Sequence, residues 1–481
     1  MIQMNYSMIR YILCRVLEFE ALFMSLPCLV GIIYREKSTI FFAPIMAVCF
    51  AISLIGRHFK PKNKVFYAKE GFVSVSLSWI ILSLVGALPF YLSGEIPSYT
   101  DALFETVSGF TTTGATILTD VEALSRSMQF WRCFTHWIGG MGVLVLILAV
   151  LPLSGSYNMH LMRAESPGPS VGKLVPRVKT TAMILYGIYI AITVLGTIAL
   201  LIAGLPLYDA LTLTFSAVGT GGFGLLNSSL GSYSFAVRNI LTALMFMCGI
   251  NFQIFYLLLI RKPKEALASE ELRYYVGIVI IATLLIMYDT RGFFESISQS
   301  FHHSLLQVTS IITTTGFASV NYDAWPEFSK TILIMLSLLG ACAGSTSGGF
   351  KVSRLIIMFR SIKNEISYVI HPRGIRKVHM DGHVLENSVT KSVQVYAMLY
   401  VLIFIGSILL ISLNEFDFMT NVTAVAACFN NVGAGFSKVG PSGSFSVLSA
   451  LSKYVLIFDM LVGRLELLPI IVLLSPRTWK K

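Results

Sequence analysis

Ten stretches of this 481-residue chain are apolar enough to read as bilayer spans. A span needs roughly 20 apolar residues to cross about 30 Å of hydrocarbon. By that measure the candidates are residues 11–33, 39–56, 71–94, 131–153, 181–204, 237–260, 274–289, 329–359, 391–413 and 446–474. The eighth and tenth are too long for simple crossings, and the eighth is interrupted by Gly344-Ser345-Thr346-Ser347-Gly348-Gly349. A glycine-rich break at membrane depth is tolerated only where protein buries it or a water-filled cavity lies beside it. Four further stretches, 100–116, 207–224, 299–317 and 418–437, are apolar but too short to cross. Each lies between two spans, begins with a segment able to form a helix of about ten to thirteen residues, and ends in a Thr/Gly-rich run. These segments are predicted to be re-entrant, entering the membrane part way and returning.

Composition supports the pattern. Hydrophobic residues make up 55% of the chain and charged residues 13%, with a mean hydropathy of +0.74. Soluble domains carry about 25% charged residues, so lipid must be the solvent for most of this chain. That excludes a disordered protein, a secreted disulfide scaffold and a soluble multidomain enzyme, and leaves channel, transporter, membrane enzyme or scaffold. The net charge of +11 would suggest nucleic acid in a soluble protein. Here the bases sit in short loops between apolar runs, so the charge reports topology and no nucleic-acid partner is expected.

The loops joining one unit to the next hold Arg57, Lys60, Lys62, Lys64 and Lys69; Arg163, Lys173, Arg177 and Lys179; Arg261, Lys262, Lys264 and Arg273; and Arg360, Lys363, Arg373, Arg376, Lys377 and Lys391. The re-entrant side holds Asp101, Glu105, Asp120, Glu122, Asp209, Asp289, Glu295, Asp323, Glu327, Glu415 and Asp417. The positive-inside rule makes the joining loops cytoplasmic, brings the re-entrant segments in from outside and, with an even number of spans, leaves both termini in the cytoplasm. The first apolar stretch lacks a small-residue cleavage pattern and is read as a membrane helix, not a removed signal. The seven cysteines are scattered singly, so packing is their expected role.

The ends of the four short segments repeat. They read Thr111-Thr112-Thr113-Gly114-Ala115, Gly219-Thr220-Gly221-Gly222-Phe223, Thr313-Thr314-Thr315-Gly316-Phe317 and Val432-Gly433-Ala434-Gly435-Phe436. Each has Gly at its fourth position, and three are followed by Phe. Small residues also serve helix packing in membranes, but four copies at the ends of four non-spanning segments call for a shared role. The fold class expected is therefore an all-α membrane protein: two N-terminal helices (1–60) followed by four pseudo-symmetric helix, pore loop, helix repeats around a central pore. The repeats are placed at 61–160, 161–265, 266–365 and 366–481, the third carrying the broken helix.

Four such loops can replace the water of a dehydrated cation. Backbone carbonyls aimed at a common axis supply the oxygens, glycine supplies dihedrals that let neighbouring carbonyls point the same way, and Thr adds a hydroxyl. Short helices with their C-terminal ends toward the axis favour cations. Neutral oxygens without a ring of carboxylates suit a weakly hydrated monovalent ion, and potassium leads.

At these residues the chain resembles the TrkH family, the potassium-translocating subunits of bacterial Trk uptake systems, within the superfamily that includes KtrB and plant HKT proteins. The resemblance covers essentially the whole chain. It rests on the four filter runs, on Gly344-Ser-Thr-Ser-Gly-Gly-Phe-Lys351-Val-Ser-Arg354 and on Gly463-Arg464-Leu465-Glu466, and the two leading helices favour TrkH over KtrB. It implies potassium uptake across the bacterial inner membrane, with potassium as the bound ion and no organic cofactor. It also implies a homodimer with one pore per protomer, controlled by a cytoplasmic TrkA-like ring of nucleotide-binding RCK domains. Gly344 to Gly349 would form a gate below the filter, and Arg464 would lie near the permeation path. Ala434 and Ser437 stand where close relatives are expected to carry Pro and Gly, and each filter keeps one regular Gly, unlike the TVGYG of potassium channels.

Several charged groups keep two readings. An intramembrane ionisable residue is a functional candidate, so Arg464 either limits ion flow or pairs structurally with Asp459 or Glu466. Lys351 either snorkels to the headgroups or takes part in gating. Asp209 is read as a helix N-terminal charge and Glu105 as part of the first pore helix. His371, His379 and His383 are read as a solvated loop, not a metal site, and that basic loop is the expected docking point for a cytoplasmic partner. The alternative function is a proton- or sodium-coupled potassium symporter, for which Asp459 and Glu466 are the deep titratable candidates. No paired catalytic residues lie in the deep segments, so an enzyme is not expected.

Overall fold

The structure, a computed structural model, describes residues 4–59, 61, 67–142, 178–372 and 376–479. The end of the fourth expected span and the bases Lys60, Lys62, Lys64, Arg163, Lys173, Arg177 and Arg373 lie outside the described residues.

Two leading helices, α1 (Tyr6–Ile33) and α2 (Phe42–His58), pack against each other. Four units follow. The first comprises α3 (Ala68–Gly86), the short α4 (Tyr99–Phe110) and α5 (Arg126–Met141). The second has α6 (Val178–Ile202), α7 (Leu207–Val218), α8 (Phe235–Cys248) and α9 (Phe252–Leu259). The third has α10 (Glu270–Asp289), α11 (Ile297–Ile312), α12 (Glu327–Leu339) and α13 (Val352–Ile370). The fourth has α14 (Asn387–Ile411), α15 (Phe418–Phe429), α16 (Ala450–Arg464) and α17 (Leu468–Leu474). The protein is thus an all-α, multi-pass membrane protein with two leading helices and four helix, pore loop, helix repeats.

Burial is inverted relative to a water-soluble bundle. Leu22, Ile198, Ile281 and Leu402 are exposed on long helices, whereas Thr106, Thr212, Ser216, Thr309, Ser310 and Thr423 are buried on the short ones. Apolar outer faces suit lipid, and the small polar side chains pack inward by bonding carbonyls of their own helices, as Thr106 does with Ala102 and Thr214 with Ala210. Six of the seven cysteines are buried.

Three expected spans are broken. Among the described residues, six helical segments are long and apolar enough to cross alone. The expected span 237–260 bends by 92° between α8 and α9, because Asn251 caps a new helix by accepting from the Gln253 amide at 2.9 Å. The eighth span divides into α12 and α13 at the glycine-rich segment. The tenth stops after Arg464, where Glu466 and Leu467 adopt φ of 58° and 65°, left-handed values that end a helix. The third short helix runs 16 residues, longer than expected, whereas the others run 12 each.

The expected solvated loop on the joining side contains a small antiparallel ribbon, β1 (His379–Met380) on β2 (His383–Val384). It is tied to the bundle where Asp381 accepts from the Glu270 amide at the start of α10 (2.7 Å) and where Arg360 donates to the His379 carbonyl (2.5 Å).

Candidate functional site

All four short helices end in the same hydrogen-bond pattern. Thr112 N bonds Gly109 O and Thr113 N bonds Ser108 O; Thr220 N bonds Ala217 O and Gly221 N bonds Ser216 O; Thr314 N bonds Ile311 O and Thr315 N bonds Ser310 O; Asn431 N bonds Cys428 O and Val432 N bonds Ala427 O. These are Schellman ends, which require a left-handed residue and normally use glycine. Here the position is held by Thr112, Thr220, Thr314 and Asn431, at φ of 54°, 53°, 54° and 56°. Left-handed β-branched residues are rare, and three at equivalent positions mark stored backbone strain of the kind found at functional sites.

Two residues later comes a glycine with positive φ: Gly114 (81°), Gly222 (81°), Gly316 (84°) and Gly433 (81°). Each touches the next loop. A Cβ on Gly114 would lie 2.0 Å from the Gly221 carbonyl oxygen, on Gly222 1.8 Å from that of Thr315, on Gly316 2.1 Å from that of Val432, and on Gly433 2.1 Å from that of Thr113. First meets second, second third, third fourth, and fourth first. The loops close into one ring, and only glycine fits where they touch.

This geometry corrects the register expected for the fourth loop. Aligning Gly435 with Gly114 is off by two residues. Gly433 takes the ring position, whereas a Cβ on Gly435 would meet Thr423 and Val439 behind the loop. The corresponding run is Asn430-Asn431-Val432-Gly433-Ala434, in which Asn431 adopts the left-handed turn that Thr makes elsewhere. Phe then follows the ring glycine only in the second and third loops.

One face of the ring opens into a cavity of about 430 Å³ lined by Gly114, Gly222, Gly316 and Gly433 with Arg132 and Lys438. The other face meets the interrupted eighth span. Gly348 N donates to Thr314 Oγ1 (2.6 Å), Thr220 Oγ1 bonds Thr346 Oγ1 (3.2 Å), and Gly348 lies against Asn430 and Asn431. The intramembrane loop therefore touches the left-handed residues of three of the four loops.

The loop is anchored where α8 and α9 separate. Cys342 N bonds Gly249 O (3.1 Å), Thr346 N bonds Cys248 O (3.3 Å) and Phe252 N bonds Gly344 O (3.0 Å). Glu271, buried in the first turn of α10, clasps both ends, accepting from Ala343 N (2.7 Å) and Ser353 N (3.1 Å). Lys351 is buried, and its Nζ donates to the Ser347 carbonyl, so it turns into the loop and does not reach the headgroups. Arg464 spans loop and bundle, donating from Nη1 to Thr346 O (2.8 Å) and from Nη2 to Gly139 O (2.5 Å) and Gly140 O (2.8 Å). The acids considered as its partners bond elsewhere: Asp459 accepts from Ser407 (2.7 Å) and Glu466 pairs with Arg354.

Glu105, expected on the first pore helix, forms a buried pair with Arg132 of α5 at 2.5 Å and also accepts from Thr116 Oγ1 and Ile117 N. Losing one partner strands a buried charge, so Glu105→Ala is expected to cost about 3–5 kcal/mol, read as a large drop in the thermal midpoint of detergent-solubilised protein. An unchanged midpoint would refute that. Sequence patterning does not single out Asn251, Glu271, Arg132 or His136. A cap residue two positions after Gly249 is the sequence sign of the bend between α8 and α9, whereas Glu271 reads like any acid opening a helix. Among the described residues no cluster of three His, Cys, Asp or Glu side chains could hold a metal ion.

The TrkH family, described as a cation transport protein, matches residues 37–481. The chain is 34% identical over 493 residues to the Trk system potassium uptake protein TrkG of Escherichia coli strain K12, covering 99% of this chain and 100% of that one. It is 35% identical to the Trk system potassium uptake protein TrkH of Salmonella typhimurium strain LT2, covering 95% and 96%. The crystal structure of the potassium transporter TrkH from Vibrio parahaemolyticus matches with a TM-score of 0.87 at 30% identity, over 99% of this chain and 100% of that one. Full-length likeness in both sequence and fold leads to one conclusion: the chain belongs to the TrkH family of cation transport proteins.

Proposed function

We propose that this protein carries potassium into the cell across the bacterial inner membrane, and that the ring is its selectivity filter. The closed four-loop ring is the observation that carries the reading. Its stretches are Thr111–Gly114, Gly219–Gly222, Thr313–Gly316 and Asn430–Gly433, with Ala434 and Gly435 following. Alternating left-handed residues turn successive carbonyls one way, and such oxygens replace the hydration shell of a weakly hydrated ion. The relatives named as potassium uptake proteins support the same ion.

Gly344, Ser345, Thr346, Ser347, Gly348 and Gly349 act as the gate on the inner face, held shut by Lys351, Glu271 and Arg464. The cavity on the other face receives ions from outside. A homodimer and a cytoplasmic TrkA-like ring complete the assembly, the ring docking at the basic ribbon around His379. The termini are cytoplasmic, and the four repeats divide at 160/161, 265/266 and 365/366.

The test is growth at low potassium, with rubidium influx, in a strain lacking its own potassium uptake but supplying the cytoplasmic subunit. Restored growth and saturable influx are expected. Confirmed membrane expression with no influx would overturn the reading.

A further inference from the structure

The four loops are not equally self-supporting. In the first and third, the third-position threonine braces the first, Thr113 Oγ1 to Thr111 Oγ1 and Thr315 Oγ1 to Thr313 Oγ1, both at 2.8 Å. In the fourth, Tyr400 donates to Asn430 (2.8 Å) and Asn431 reaches Thr113 Oγ1 (2.9 Å) and Met460 O (3.0 Å). The second loop, Gly219-Thr220-Gly221-Gly222, has glycine at its first, third and fourth positions, and no side chain there to brace it. Glycine loses the most conformational freedom on ordering, so this loop needs support from outside.

That support is the imidazole of His136 on α5. The side chain is fully buried. A Cβ on Gly221 would lie 2.2 Å from its Cγ and 2.4 Å from both Cδ2 and Nδ1, so the ring occupies the volume that the third-position threonine takes in the first and third loops. Nδ1 lies 2.7 Å from Gly109 O, at the end of the first pore helix, and Phe223 N donates to Nε2 at 3.3 Å. A backbone amide can only donate, so Nε2 is the acceptor and Nδ1 carries the proton toward Gly109. One neutral tautomer meets both demands. The ring also stacks on Phe223 at 4.1 Å. Arg132, one helical turn earlier, lies over Phe223 with its guanidinium carbon 3.5 Å from the ring centroid, and bonds Gly224 O at 3.1 Å.

We propose that His136 is a positioning residue for ion selection: it replaces the missing third-position side chain of the second loop and holds that loop's carbonyls in register with the first. The inference rests on the ring being the selectivity filter. Discrimination between ions of one charge depends on how many carbonyls, with what field, are held at the ion, so a loosened loop admits the smaller, more strongly hydrated sodium.

The experiment uses the full-length protein with its cytoplasmic subunit and measures rubidium influx, its KM and maximal rate, and inhibition by sodium. His136→Ala is expected to lower rubidium-over-sodium discrimination about tenfold, one decade of relative affinity, with a raised KM and a maximal rate within about twofold. His136→Gln, which keeps a donor and an acceptor, is expected to lose less. Gly221→Thr alone is expected to fail, because its side chain meets the imidazole. Combining it with His136→Ala is expected to recover discrimination, and yield if either single variant folds poorly, since the threonine then fills the vacated space. Wild-type discrimination in His136→Ala, a tolerated Gly221→Thr, or no recovery in the double variant would each overturn the proposal. A wild-type protein with no rubidium influx would overturn the transport reading instead.

Discussion

Gly433→Ser is expected to abolish selective rubidium influx, lowering it at least about 100-fold, whereas Gly435→Ser is expected to leave most of it. Gly433 sits at φ 81° with the Thr113 carbonyl oxygen 2.1 Å from where a Cβ would stand. Left-handed backbone costs a side-chain-bearing residue about 1–2 kcal/mol. The clash adds more, because the neighbour is the backbone of a loop that must keep its own position. Gly316→Ser is expected to behave likewise, with φ 84° and the Val432 carbonyl oxygen at 2.1 Å. Gly435 lies outside the left-handed set, and its nearest neighbours are side-chain atoms of Thr423 and Val439 at 2.9 Å. The comparison is made at matched membrane expression. Equal loss at Gly433 and Gly435 would refute the structural register of the fourth loop, and retained influx in both Gly433→Ser and Gly316→Ser would refute the role of the ring.

The contrast also shows where sequence patterning reached its limit. Composition and the ten apolar runs gave the solvent, and the segments that fell short of spanning gave the four-fold plan. The first three loops announced their ring glycines because Thr or Gly filled each of the three preceding positions. The fourth did not, because the left-handed turn there is made by Asn431, and Gly435, two residues later and followed by Phe436, matches the Gly-then-Phe pattern better than Gly433 does. Residue identity reports what each position tolerates; carbonyl contact between loops far apart in the chain reports which positions are equivalent.

The helix breaks divide in the same way. Six consecutive Gly, Ser and Thr residues made the eighth span visibly irregular. The break at Gly249-Ile250-Asn251 lies in a run that otherwise reads as one span, yet it is what leaves Cys248 O and Gly249 O free to receive the intramembrane loop. Glu271 and His136 belong to a further class. Each acts on backbone groups of a distant segment, and no local pattern distinguishes such a residue from an ordinary buried polar side chain.

Arg464→Ala is expected to raise ion flux about tenfold when the cytoplasmic subunit is absent and the gate rests shut. The guanidinium donates to Thr346 at the centre of the intramembrane loop and to Gly139 and Gly140 at the end of α5. It thereby joins the intramembrane loop, the proposed gate, to a helix end packed against the end of the first short helix, since a Cβ on Gly139 would meet the Phe110 carbonyl oxygen at 1.8 Å. Hydrogen bonds to a charged group contribute about 1.5–3 kcal/mol each. The contact with Thr346 exists only while the loop is in place, so its loss weakens the closed state selectively. A shift of 1.4 kcal/mol, about one such bond, changes the closed-to-open ratio tenfold. Arg464→Lys keeps the charge but offers one ammonium where the fork reached carbonyls of two segments, so an intermediate flux is expected. Flux is followed as rubidium entry into proteoliposomes at matched protein density. Unchanged or reduced entry in Arg464→Ala, with the filter variants still inactive, would show that Arg464 does not hold the gate shut.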